Sequence, residues 1–154
     1  MSQELKSVTK QMVVAATDEF LKLLVTVPSG KFTWQPEPTT KSAQQIGWHV
    51  ALTLHNMARI LKSEKVQMVD FENESFKTQH ATPDRLKSFI ELQLKELFAA
   101  TDQLKSFEEA FAMPWGDTWP AKTILFRGCL EHTAYHGGQL AYIQTLLGDT
   151  QDHF

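Results

Sequence analysis

The sequence predicts an all-α four-helix bundle with a long crossover between its second and third helices. Three observations predict it. Apolar residues recur at spacings of three and four in four separate stretches, strand-like alternation is missing, and the polar segment between the second and third stretches is too long for a tight turn. At 154 residues the chain has one domain's length and can bury one sizeable core, so residues 1–154 are expected to form a single domain.

Helix one is expected from about Ser2 to Val27, where Leu5, Val8, Met12, Ala16, Phe20, Leu23, Leu24 and Val27 mark an apolar face. Pro28, Ser29 and Gly30 end it. The segment from Lys31 to Lys41 carries two prolines and no helical period, and reads as a loop anchored by Phe32 and Trp34. Ser42 and Gln45 have the spacing of a capping box, which opens helix two and carries it to about Lys62. The polar stretch from Ser63 to Ala81 is the crossover. Thr82-Pro83-Asp84 supplies a hydroxyl cap, a proline at the first position and an acid near the positive end, so helix three starts there and extends to about Ala112. Gly116 and Pro120 bracket the next turn. Helix four is expected from near Trp119 to Gly148, a suitable left-handed terminator.

Composition excludes several functions. The formal charge of −3 and pI near 6.0 leave no basic stripe for nucleic acid. No window approaches the ~18 continuous apolar residues of a membrane span, and the polar first residues lack the apolar run of a signal peptide. A soluble cytoplasmic protein is expected. The one cysteine, Cys129, excludes an internal disulfide.

Helix four carries the chemistry. At about 100° per residue, Leu125, Cys129, His132, His136, Gln139 and Ile143 fall within about 80° of one another on a face that should look inward. Buried imidazoles need partners, and side chains four apart on a helix can reach one ion. His49 of helix two lies at the edge of its own buried face and supplies a third imidazole, while His55 is turned away. Three histidines with open positions match the ligand set of catalytic zinc and related divalent ions. Glu131 precedes the first histidine, so the pair is not the HExxH motif of metalloproteases, and that carboxylate reads as a surface group. Cys129 reads as core filler. Gln139, one turn beyond His136, is the candidate to orient a ligand, with cap formation as the alternative. Tyr135 and Trp34 are candidates to shape a pocket. His80 and His153 read as solvated, and Gly137-Gly138 suggests either close approach of a helix or ligand, or a kink.

The histidine in IGWHVALTLHNMARIL, the HTAYHGGQL of helix four, the following YIQTLLG and the proline-containing loop ahead of Ser42 together resemble the DinB-like (DinB/YfiT-like) family of small metal-dependent bundles. The resemblance spans nearly the whole chain. It implies a four-helix bundle with a long second crossover, a homodimer, and a divalent ion such as nickel, zinc or iron held by His49, His132 and His136. The arginine that often follows the family's last histidine is Gly137 here.

The leading expectation is thus a metal-dependent enzyme acting on a small molecule, by transfer of a low-molecular-weight thiol or by hydrolysis. Two other readings stand beside it. One is a non-catalytic metal or small-ligand binding or sensing bundle, to which a fourth protein ligand from His55 or Cys129 would point. The other is a bundle that only dimerises, its histidines paired by hydrogen bonds.

Overall fold

The computed structural model describes residues 3–71, 73–151 and 153. Helix α1 spans Gln3–Thr26, α2 Ala43–Leu61, α3 Glu74–Gln79 and α4 Pro83–Gln103; a short hairpin, β1 (Ala110–Ala112) and β2 (Thr118–Pro120), precedes the last helix. That helix has three parts: α5 (Ala121–Thr123), a π-helical stretch Ile124–Glu131, and α6 (His132–Leu146). Single 3₁₀ turns at Ser29–Lys31 and Met68–Phe71 sit in the two connections. The expected start of helix one at Ser2 lies outside the described residues.

The expected four-helix bundle with its long crossover is observed. Both α1 and α2 pack against α4 and the last helix, so they occupy one diagonal of the bundle. Paired positions fix the directions. Gly47 near the start of α2 meets Leu86 near the start of α4, and Lys62 and Glu96 pair toward their other ends, so these neighbours run parallel. Two parallel neighbours cannot be joined by a tight turn, which is why residues 62–82 must return along the bundle. The α2–α4 contact is close: a Cβ at Gly47 would stand 2.8 Å from Leu86 Cδ1 and 3.2 Å from Leu24 Cδ1. Phe20, Leu23, Leu24, Leu54, Leu86, Ile90, Leu97 and Leu140 lie in the core among these helices. Among the described residues no helix is long and apolar enough to cross a membrane.

The caps form where the sequence placed them. Ser42 Oγ accepts from Gln45 N–H while Gln45 Oε1 accepts from Ser42 N–H, and Thr82 caps α4. The far end of α4 differs from expectation: the helix stops at Gln103, and Leu104 and Phe107 are buried beyond it. Two contacts explain the stop. The buried ammonium of Lys6 donates to the carbonyls of Asp102 at 2.8 Å and Leu104 at 2.7 Å, and the Glu109 carboxylate accepts from the N–H groups of Lys105 and Ser106. The released segment then forms the hairpin, with Phe111 opposite Trp119. The last helix therefore begins at Ala121 rather than Trp119, and Gly148 follows its end at φ +89°. The crossover is also more ordered than a polar loop, because Asn73 caps α3 and Phe76 buries beneath it.

The π-helical stretch is the second departure. Ile124/Leu125, Gly128/Cys129, His132/Thr133 and His136/Gly137 face inward at a strict spacing of four, only His132 among them being half-buried. Over twelve residues an α-helix drifts by about 120° from such a spacing. Wider i→i+5 turns absorb that drift ahead of the histidine pair.

Candidate metal centre

His49 projects from the second turn of α2, held by the capping box just before it; His132 and His136 project from the first two turns of α6. One nitrogen from each ring lies within 4.8 Å of the others. His49 and His132 approach Nε2 to Nε2 at 3.0 Å, and the ring centroids are 4.5–4.8 Å apart. Among the described residues no fourth His, Cys, Asp or Glu joins this cluster. His55 lies elsewhere, its Nδ1 against Gln93 Oε1 at 2.8 Å, and Cys129 is fully buried, its thiol pushed up to about 12 by desolvation.

Burial keeps the three imidazoles neutral. His49 is lowered to about 4 and His132 to about 3, desolvation first in both, with charge on neighbouring imidazoles and on Lys41 adding to it. His136 is lowered by desolvation too, opposed by its hydrogen bond to Gln139. A neutral imidazole is the ligating form.

The surroundings orient one ring in particular. Gln139 Nε2 donates to the Tyr135 hydroxyl at 3.1 Å, which turns Oε1 toward His136 Nδ1 at 2.7 Å. Nδ1 then carries the proton and Nε2 keeps its lone pair available as a ligand. His132 Nδ1, by contrast, is buried without a hydrogen-bond partner. Three neutral nitrogen donors, two of them facing at 3.0 Å with at most one proton between them, fit a divalent ion of the zinc, nickel or iron type.

A cavity of about 640 Å³ opens beside His136, between α6 and the loop ahead of α2. Tyr135, Gln139 and Tyr142 line it from α6, and Pro36, Thr40 and Lys41 from the loop. A smaller one of about 200 Å³ lies on the other side, against His49 and Trp48, and Lys41 borders both. Trp34 is half-buried against the core; the loop wall of the cavity runs through Pro36 instead. Glu131 is exposed. The Gly137-Gly138 pair marks no tight crossing: a Cβ at Gly137 would meet Leu23 Cδ1 at an ordinary 3.8 Å, and Gly138 borders the cavity with nothing within 4 Å. Two histidines expected in solvent are not fully there, since His80 stacks on Phe76 and His153 pairs with Asp149. Lys41 is the site residue that sequence reasoning passed over, because a lone lysine at the end of a loop has no periodicity to set it apart.

Fold and cluster together define the class, an up-down-down-up helical bundle bearing a three-histidine cluster between its second and last helices. The family described as the DinB superfamily matches residues 12–140, and the chain belongs to it. Solved structures agree on the fold. A DinB-like protein from Bacillus subtilis superposes with a TM-score of 0.69 at 16% identity, covering 93% of each chain. A conserved protein from Enterococcus faecalis gives 0.72 at 15% identity, covering 97% of this chain and 99% of that one. No curated protein matches the chain.

Proposed function

We propose that the chain is a metal-dependent enzyme whose His49, His132 and His136 hold a divalent ion of nickel, zinc or iron, and that it transfers a small thiol or hydrolyses a small molecule. A single observation carries this reading: three imidazoles kept neutral by burial converge within 4.8 Å with no fourth ligand among the described residues, next to a cavity large enough for a small molecule. When bound, such an ion supplies Lewis acidity and lowers the pKa of a coordinated thiol or water. The chain's own residues do the rest. Gln139 fixes the tautomer of His136, Tyr135 fixes Gln139, and Ile46 and Ile143 give the cavity beside His136 apolar surface against which a small molecule can lie. Cys129 takes no part as a nucleophile, because its buried thiol stays protonated.

Elemental analysis tests the reading. Untagged chain purified without chelator should carry one equivalent of metal, and a His132→Ala/His136→Ala variant of native helical content should carry none. Thiol-transfer and hydrolytic substrates screened against both should turn over only with the first. Metal in neither, even after incubation with nickel, zinc or iron, would overturn the proposal.

A further inference from the structure

The larger cavity is chemically one-sided. Among the described residues its lining includes a lysine and no carboxylate, and the smaller cavity beyond it likewise has Lys41 and Lys77 and no carboxylate. Lys77 is neutralised by Glu74, whereas among the described residues no carboxylate pairs with Lys41. This cationic corner sits in a chain whose formal charge is −3, so it is local and not a reflection of general basicity. Besides Thr40, Gly138, Gln139 and His136, the wall is apolar or aromatic: Pro36, Ile46 and Ile143, with the rings of Tyr135 and Tyr142.

The backbone that carries Lys41 is held on both sides. Before it, Thr40 Oγ1 donates to the Glu37 carbonyl and accepts from Glu37 N–H, and the Thr40 carbonyl accepts from Gln35. After it, Ser42 is locked into the capping box of α2. A lysine placed by such a frame loses less freedom on pairing than one on a mobile loop. Lys41 lines the larger cavity together with His136 and the smaller one together with His49, so a group paired with it would lie in a cavity that one of these rings borders.

We propose that the cavity binds a small organic anion with an apolar body, the anionic group paired with Lys41 and the body lying against Ile46, Ile143 and the rings of Tyr135 and Tyr142. This deepens the reading of the cavity as the substrate site by naming the substrate's charge class. A cation that no carboxylate among the described residues pairs attracts an anion; the flanking apolar surface gains by covering hydrocarbon. A neutral polar molecule satisfies the second demand and not the first.

The test uses a matched pair, 3-phenylpropanoate and 3-phenylpropan-1-ol, titrated calorimetrically into the full chain and into Lys41→Met, with metal content measured on both. The carboxylate should bind the native chain roughly tenfold more tightly than the alcohol, as one charge-assisted contact implies. Added salt should erode that preference, and Lys41→Met should abolish it while leaving the alcohol unchanged and the metal content intact. Equal affinities in the native chain, or a preference that survives Lys41→Met, would overturn the inference, as would failure of both probes to bind. Absence of the preference in native chain that carries its full metal content sinks only this inference. A preference that persists in chain that takes up no metal, even after incubation with nickel, zinc or iron, leaves it standing and removes the metal reading instead.

Discussion

At the scale of single residues, the arrangement around His136 makes a definite claim about order of importance. Gln139 Oε1 accepts from His136 Nδ1–H at 2.7 Å, and partners of this kind are worth roughly 10- to 100-fold in metal affinity. Gln139→Leu should therefore weaken metal binding by about that factor in a competition titration against a chromophoric chelator, and Tyr135→Phe, one contact further out, by less. The imidazoles also give the metal-free chain a pH signature. Well above pH 6.5 they are neutral whether the chain is folded or not, and contribute no slope. Below it the unfolded chain takes up protons that folded His49 refuses down to about 4 and His132 down to about 3. The unfolded state then binds more protons, so stability falls as pH drops. Urea midpoints measured from pH 7.5 to 5, above the range where most carboxylates titrate, should decline below 6.5, and His132→Gln should flatten that decline. His132 and His136 were legible in the sequence because four-residue spacing on an inward helical face is a geometric statement, and His49 because it falls at the edge of the buried face of its own helix. Lys41 was not, since its place beside them depends on how the loop folds over the bundle end.

Elements show where local chemistry decides and where it does not. The starts of α2 and α4 could be read directly, because a capping box and a Thr-Pro-Asp entry act over three or four residues. The end of α4 could not, because the group that satisfies its last carbonyls is Lys6, on another helix and nearly a hundred positions away. The π-helical stretch lies between these cases. Its strict four-residue spacing of inward positions is present in the sequence, but a reading at 3.6 residues per turn averages it into an ordinary amphipathic face. Packing makes its own demand at Gly47, where side chains of both α1 and α4 fill the space a Cβ would need. Gly47→Val should cost about 1–3 kcal/mol of unfolding free energy by urea titration, despite replacing glycine inside a helix, because overpacking a close crossing outweighs the gain in helix propensity.

For the whole molecule, the cluster ties the second helix to the last one, so a bound ion would count toward global stability. At a free metal concentration one hundred times its dissociation constant the gain is about 2.7 kcal/mol. Chelation should accordingly lower the thermal midpoint of the native chain and leave that of His132→Ala/His136→Ala where it was; an equal shift in both would place the ion elsewhere. The parallel pairing of α2 with α4 carries a further consequence. The return segment 62–82 is the connection that divides the three ligands, with His49 before it and His132 and His136 after it. A single proteolytic cut there would leave a two-helix fragment and a remainder that share one core and one coordination shell. Their reassociation would then depend on the ion, turning a folding problem within one chain into a metal-gated encounter between two.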